Sequence, residues 1–294
     1  MLLVVLIWGI NFSATKLAFR DFDPLAFTGV RFALSSALLV LVLWKYEGTL
    51  RLPPGALGRL ALLGIIGNSI YQALFVIGLS RTTATNSSLV LASMPAMVAA
   101  LGAATGTERL TRDGRRGLIL ASLGVLLVVA AKGASFSMHT VGGDLMTLVA
   151  VVCWAVFTLG VRRFALPVST LGITAWTTIL GTPLLVLAGL PAMLKTDWGA
   201  VSREGWGALL YSSVLSLVVA YILWNRSIAK VGTNRTAVFA CVTPLVAMTS
   251  AMLMLGERPR PIQLVGGVMI LAGVLLSQRR AAPPIVPLRG GGGE

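Results

Sequence analysis

The chain has 294 residues, of which 56% are hydrophobic and 12% charged, and its mean hydropathy is +0.87. Soluble proteins carry about 25% charged residues, so the 24 basic and 10 acidic side chains are too few to solvate a globule of this size. A soluble enzyme, a disulfide-rich secreted domain and a disordered chain are therefore excluded, and an integral membrane protein is indicated. The net charge of +14 lies in short clusters between apolar runs, a pattern typical of membrane loops and not of a nucleic-acid-binding face.

Ten apolar stretches are long enough to cross a bilayer, whose hydrocarbon core requires about 20 residues per helix. They cover residues 1–19, 24–44, 57–80, 84–105, 115–132, 144–162, 168–190, 205–227, 233–255 and 262–279. The runs are continuous and lack period-two alternation, which favours helices over a transmembrane barrel. The sequence therefore predicts an all-α, polytopic membrane protein of ten transmembrane helices.

The loop charges orient these helices. With ten spans both termini lie on one side, and that side collects 15 loop arginines and lysines against 7 on the other. Because cytoplasmic loops carry the excess of basic residues, we predict that both termini are cytoplasmic. Lys16 and Arg31 are the two basic residues that fall within spans, and we attribute them to architecture in preference to substrate binding.

The remaining reactive side chains do not form a site of their own. Cys153 and Cys241 each lie in an apolar run, and His139 has no surrounding cluster of Cys, Asp or Glu. We therefore expect no disulfide, no metal site, no cofactor and no catalytic residues. Glu108 and Glu257 adjoin helix ends next to arginines and are interpreted as loop ion pairs.

An internal repeat divides the chain. At an offset of 149 residues, Pro95 aligns with Pro244, Glu108-Arg109 with Glu257-Arg258 and Gly124 with Gly273, while near the start of each half the offset is 146. Five helices per repeat is an odd number, so the second copy must enter the membrane inverted, as in many transporters. We predict a first repeat over 1–135, an inverted second repeat over 136–280 and a flexible C-terminal tail over 281–294.

Several motifs resemble one transporter superfamily. They are Trp8-Gly9-x-Asn11-Phe12 with Lys16, Asp23-Pro24-x-x-Phe27-x-x-x-Arg31-Phe32, Tyr71-Gln72 with Gly78-Leu79, and the repeated Pro95 and Glu108, Pro244 and Gly256-Glu257. Over essentially its whole length the chain resembles the drug/metabolite transporter superfamily, specifically its ten-helix EamA-type members, and most of all the bacterial aromatic amino acid exporters. The resemblance implies a multi-pass exporter of the bacterial inner (plasma) membrane, able to act as a monomer, with a small-molecule substrate and membrane lipid as its partners.

Two prolines mark the predicted hinges. Pro95 and Pro244 lie inside apolar helices, where each removes a backbone donor from the carbonyl four residues earlier, at Leu91 and Ala240. Freed carbonyls are tolerated in a membrane where they face protein or a wet cavity. Matched positions in the two halves favour hinges beside a central cavity over simple packing kinks.

Polar and aromatic residues recur along the helices that would surround this cavity. The third helix carries Asn68, Tyr71, Gln72 and Phe75 on one helical face, and Trp8 and Trp154 are repeat-related rings suited to a flat apolar substrate. Helix-helix packing is the alternative, and for Trp224, close to a helix end, an interfacial belt. The candidate substrate-binding residues are Trp8, Asn11, Asn68, Tyr71, Gln72, Phe75, Ser93, Trp154, Phe157, Ser216, Tyr221 and Thr243.

The acidic residues bear on the mechanism. None lies in the middle third of a predicted helix, whereas a proton antiporter needs a titratable carboxylate at its site. We therefore expect facilitated export of a zwitterion by alternating access around a neutral cavity, with a proton-coupled multidrug or metabolite exporter as the alternative. A membrane enzyme is disfavoured because no Ser-His, paired-Asp or HExxH constellation is present.

Overall fold

The computed structural model describes residues 1–107, 110–130, 138–231, 239 and 242–278. Within these ranges the regular structure is helical throughout, which confirms the all-α fold. The predicted tail 281–294, the predicted loop acid Glu108, Ala240 and Cys241 lie outside the described residues.

Among the described residues, ten helices or broken helices overlap the ten predicted spans. They are α1 (Leu2–Ala18), α2 (Pro24–Glu47), α3 (Ala56–Gly64, Ile65–Ile70 and Tyr71–Arg81), α4 (Ala84–Leu91 and Met94–Ala104), α5 (Arg112–Ala130), α6 (Met138–Phe164), α7 (Thr170–Lys195), α8 (Arg203–Leu210, Tyr211–Val219 and Ala220–Val231), α9 (Thr243–Leu255) and α10 (Pro261–Gln278).

The helices begin where polar side chains can cap them. Asp23 accepts a hydrogen bond from the Leu25 backbone N–H at 2.8 Å, directly before Pro24 opens α2. Ser169 and Ser202 cap α7 and α8 in the same way. A cap satisfies backbone donors that a helix N-terminus otherwise leaves unpaired, and this is why the short polar breaks in the sequence fix the helix starts.

The surface is that of a protein embedded in lipid. In the part of the chain that the structure describes, six helices are long and apolar enough to cross a membrane, and α1, α9 and α10 are shorter apolar helices. Large apolar side chains face outward, among them Leu126, which is 63% exposed, and Leu253, which is 82% exposed. Such exposure is unfavourable in water but matches hydrocarbon, so the chain is a multi-pass membrane protein.

Helix boundaries recur between the two halves. The starts of α2 and α7, at Pro24 and Thr170, are 146 residues apart, whereas those of α5 and α10, at Arg112 and Pro261, are 149 apart. The π-helical segment of α3, Ile65–Ile70, falls 149 residues before part of the π-helical segment of α8, Tyr211–Val219. These offsets equal those of the sequence repeat.

Helices α5 and α10 touch through paired glycines. A β-carbon on Gly117 would lie 2.5 Å from the Gly273 carbonyl oxygen, and one on Gly124 would lie 2.6 Å from the Gly266 carbonyl oxygen. In the sequence repeat Gly117 corresponds to Gly266 and Gly124 to Gly273, so exchanging the halves maps one contact onto the other. Close backbone approach at small residues is typical of helix packing in membranes.

The fourth helix of the first half differs from the continuous helix that hydropathy predicts, and in the second half a turn at Val242 precedes Pro244. Turns at Ala92 and Ser93 break α4, and Pro95 is the second residue of the segment that follows. In α9 the helix begins at Thr243, with Pro244 again second. Proline lacks an N–H and suits the first turn of a helix better than its interior. The helical structure is therefore interrupted directly before each proline-containing segment, at Ala92 and Ser93 and at Val242.

Candidate substrate cavity

A cavity of about 320 Å³ lies between the two halves and is lined by residues of α1, α2, α3, α4, α6, α8 and α9. This volume falls within the range of small-molecule sites. Nine of the twelve predicted substrate-binding residues line it: Trp8, Asn11, Tyr71, Gln72, Phe75, Trp154, Ser216, Tyr221 and Thr243. Both predicted hinge residues, Pro95 and Pro244, also lie in its wall.

Two aromatic clusters line the cavity. In the first, the Trp8 ring centroid lies 5.6 Å from that of Tyr221 and 5.1 Å from that of Trp224. In the second, the Trp154 centroid lies 5.1 Å from that of Tyr71, which stacks on Phe75 at 6.2 Å. Trp8 and Trp154 are repeat-related, as are Phe75 and Trp224, so each half supplies a similar apolar surface. Trp224 is therefore a cavity residue, which its position near a helix end did not reveal.

A polar network adjoins the cavity through Asn11, Arg31 and Gln72. Arg31 donates to the Gln72 side-chain oxygen at 2.7 Å and to the Ser212 hydroxyl at 2.9 Å, and Ser212 donates to Asn11 at 2.7 Å. The guanidinium also lies 5.3 Å from the centroid of the Phe32 ring, within cation–π distance. Arg31, which we assigned to architecture, thus lines the cavity, because α3 and α8 bring its partners to it from 41 and 181 residues away.

Three predicted lining residues lie elsewhere. Asn68 belongs to the π-helical segment of α3, whose wider turn directs it toward Gly181 of α7 instead of along the stripe of Tyr71 and Gln72. Ser93 sits in the break of α4 and donates back to the Val90 carbonyl at 2.7 Å. Phe157 packs against the backbone at Gly67, between α6 and α3.

A second polar cluster, which we call the end cluster, ties the helices together near the C-terminal end of α1. The Lys16 ammonium donates to the carbonyl oxygens of Leu79, at 3.1 Å, and Thr82, at the end of α3. Asn86 of α4 donates to Asp144 of α6 at 3.1 Å and accepts from Gln263 of α10 at 2.5 Å. These bonds join α1, α3, α4, α6 and α10 at one end of the bundle.

Glu257 completes the end cluster in a role that the sequence did not suggest. Its carboxylate accepts hydrogen bonds from the backbone N–H groups of Ala84 and Thr85, at 2.7 and 3.0 Å, and from the Thr85 hydroxyl at 2.7 Å. The acid therefore caps the N-terminus of α4, where a negative charge also opposes the positive end of the helix dipole. Glu257, in the loop between α9 and α10 of the second half, thus caps a helix of the first half.

Asp144 is an acid whose burial the sequence did not reveal. Its side chain is fully buried in the first third of α6, so the middle thirds of the helices remain without acids in the part of the chain that the structure describes. In the same part of the chain no group of three His, Cys, Asp or Glu side chains could hold a metal ion. Small polar groups and aromatic rings supply the chemistry of the cavity, and Arg31 supplies its charge.

Known proteins of similar sequence are transporters. The sequence profile of the EamA-like transporter family matches residues 1–130 and 141–278. The chain is 30% identical over 281 residues to an uncharacterized transporter of Archaeoglobus fulgidus, covering 94% of each protein. It is 27% identical over 292 residues to a probable amino-acid metabolite efflux pump of Salmonella typhimurium, covering 94% of this chain and 92% of that one.

The fold has a counterpart among solved structures. A crystal structure with 18% sequence identity superimposes with a TM-score of 0.63 and covers 94% of this chain and 97% of its own. At this identity the likeness concerns the fold alone. Because the family profile matches both halves and accounts for nearly all of the described helices, the chain belongs to the EamA-like transporter family.

Proposed function

We propose that the protein exports amino acids, aromatic ones above all, and related small metabolites through the central cavity. The observation that carries the proposal is the combination of two aromatic clusters and the polar network of Arg31 in the lining of one cavity inside a membrane protein. A substrate with a flat apolar body and a polar head would match both surfaces. Efflux pumps for amino-acid metabolites among the relatives, from Salmonella typhimurium and Escherichia coli, support the same substrate class.

Transport would proceed by alternating access between inverted halves. The cavity draws its lining from both halves and adjoins the breaks beside Pro95 and Pro244, where helix segments can change their relative angle. With both termini in the cytoplasm of a bacterial inner membrane, the end cluster lies on the outer side. Its hydrogen bonds would then hold the outer side closed in this conformation, and the protein would act as a monomer.

The absence of an acid from the described cavity lining supports facilitated transport without an ion gradient. One observation favours proton coupling as the second candidate. Asp144 is fully buried and hydrogen-bonded to Asn86 within the end cluster, and intramembrane acids often carry protons in pumps. In this alternative Asp144 would carry the proton, and opening of the end cluster would be coupled to proton transport.

Transport by purified protein in liposomes tests both candidates. Liposomes preloaded with unlabelled L-phenylalanine are diluted into labelled L-phenylalanine at equal pH inside and outside, and the same is done with other labelled amino acids. We expect the label to accumulate by exchange without a proton gradient. Exchange of no amino acid would refute the proposed function, whereas accumulation only under a proton gradient would favour the coupled alternative.

A further inference from the structure

Arg31 is a buried cation in the wall of the cavity. The residue is 1% exposed, lines the cavity and lies in the second turn of α2, about 10 Å along the helix axis from Pro24 at 1.5 Å per residue. A guanidinium has five N–H donors. Two of them bond to Gln72 and Ser212, and the Nε donor has no acceptor.

The charge of Arg31 has no counter-charge among the described residues. No Asp or Glu lines the cavity, and no described carboxylate lies within 4.0 Å of the guanidinium. Gln72 and Ser212 are neutral acceptors, so they satisfy individual donors without compensating the charge. An uncompensated buried charge is costly, and in a membrane protein it marks a functional site by default.

We infer that Arg31 anchors the carboxylate of the substrate, so that the cavity selects monocarboxylates with an apolar body. The inference rests on the proposed function and deepens it. A carboxylate would supply both the missing charge and acceptors for the unused donors, and the planar guanidinium binds carboxylates through two parallel hydrogen bonds. Gln72, which accepts one hydrogen bond from Arg31, also lines the cavity, so a carboxylate bound there would lie beside the guanidinium and its remaining donors.

The substrate's amino group has no equivalent partner. The described lining contains aromatic faces, such as those of Trp8 and Trp154, and neutral polar groups, such as Asn11 and Thr243, but no acid that would pair with an ammonium. Rings of this kind accept either an ammonium, through cation–π attraction, or an apolar substituent. The amino group is therefore dispensable, and N-acylated or deaminated acids bind as well as the free amino acid.

Direct binding to the full-length protein in detergent, measured by calorimetry, tests this selectivity. The probes are L-phenylalanine, N-acetyl-L-phenylalanine, 3-phenylpropionate and L-phenylalaninamide, the last of which keeps the ammonium but lacks the carboxylate. We expect the three carboxylates to bind with Kd values within about fivefold of one another and the amide to bind at least about 30-fold more weakly, as loss of a charge-assisted pair implies. Equal binding of phenylalanine and its amide would overturn the inference.

Two variants separate anchoring from a structural role. Arg31→Gln should bring phenylalanine and its amide to similar affinity, whereas a merely structural defect would weaken both and preserve their ratio. Arg31→Lys, which keeps the charge, should restore part of the preference. Arg59→Gln is the matched control, because Arg59 is exposed and contacts Phe164 outside the cavity lining.

The outcomes also distinguish the inference from the proposed function. Arg31-dependent binding of 3-phenylpropionate without exchange of any amino acid would refute amino acid export and leave the inference standing. Exchange of phenylalanine by the wild-type protein, together with an unchanged preference of Arg31→Gln for phenylalanine over its amide, would refute the inference and leave amino acid export standing. Failure of all three carboxylates to bind the wild-type protein would overturn the inference.

Discussion

Replacing Glu257 with Gln should loosen the side of the transporter that carries the end cluster, which is the outer side in the proposed orientation. The carboxylate accepts three hydrogen bonds from Ala84 and Thr85 at the N-terminus of α4. The Gln side chain loses the charge, and its amide nitrogen cannot accept, so at least one bond is lost. Since hydrogen bonds to charged groups contribute about 1.5–3 kcal/mol, the closed state should lose about 2 kcal/mol relative to a state in which these segments separate.

That loss corresponds to a shift of about 30-fold in the equilibrium between the closed and open states. An outward-open state populated at about 1% would rise to about 20%. The assay is labelling of Ser88→Cys in the cavity by a membrane-impermeant thiol reagent added outside the cell, with the native Cys153 and Cys241 replaced by Ala. We expect labelling about 20 times faster in Glu257→Gln.

Glu204→Gln provides the matched control. Glu204 is an exposed acid in the first turn of α8, on the same predicted side of the membrane. Its substitution should leave the labelling rate unchanged. Equal labelling in the Glu257→Gln variant and the parent would refute the reasoning that the end cluster holds this side closed.

Three further predictions concern packing, binding and the hinge. Gly117→Ala should cost about 1–3 kcal/mol of stability by overpacking and should lower the thermal midpoint in detergent. Gly58→Ala, where a β-carbon meets no atom within 4 Å, should leave the midpoint unchanged. Equal midpoints in the two variants would contradict the close α5–α10 contact. Trp8→Ala should raise the KM for phenylalanine exchange about tenfold by removing a ring of the cavity lining on which the substrate would stack, with Trp8→Phe close to wild type. An unchanged KM in Trp8→Ala would exclude the ring from binding. Pro95→Ala should lower the maximal exchange rate more than it raises KM, and a rate equal to wild type would exclude a hinge at this residue.

Helix positions could be predicted from the sequence because hydropathy and capping act locally. The predicted span 24–44 became Pro24–Glu47, starting at the Asp23 cap. The predicted span 84–105 is a broken helix in the structure. Hydropathy does not reveal the break, because the sequence is apolar on both sides of the turn and only Pro95 marks it.

Side-chain convergence could be predicted only in part. Tyr71, Gln72 and Phe75 of the predicted stripe on α3 line the cavity, whereas Asn68 of the same stripe does not. The π-helical turn that rotates Asn68 away has no signature in this apolar sequence. The partners of Arg31 and Glu257 come from distant helices. Each residue alone therefore resembled an ordinary charge at a helix end, and tertiary packing decided its role.

The claim that the cavity is the transport pathway is tested most directly by filling it. Leu91 lines the cavity, whereas Leu123 faces outward from α5 and is 48% exposed. Exchange of labelled L-phenylalanine is measured in liposomes containing Leu91→Trp or Leu123→Trp, after both variants are shown to melt as cooperatively as the wild type. We predict that Leu91→Trp abolishes exchange and that Leu123→Trp retains it, and exchange at the wild-type rate by Leu91→Trp would contradict the account.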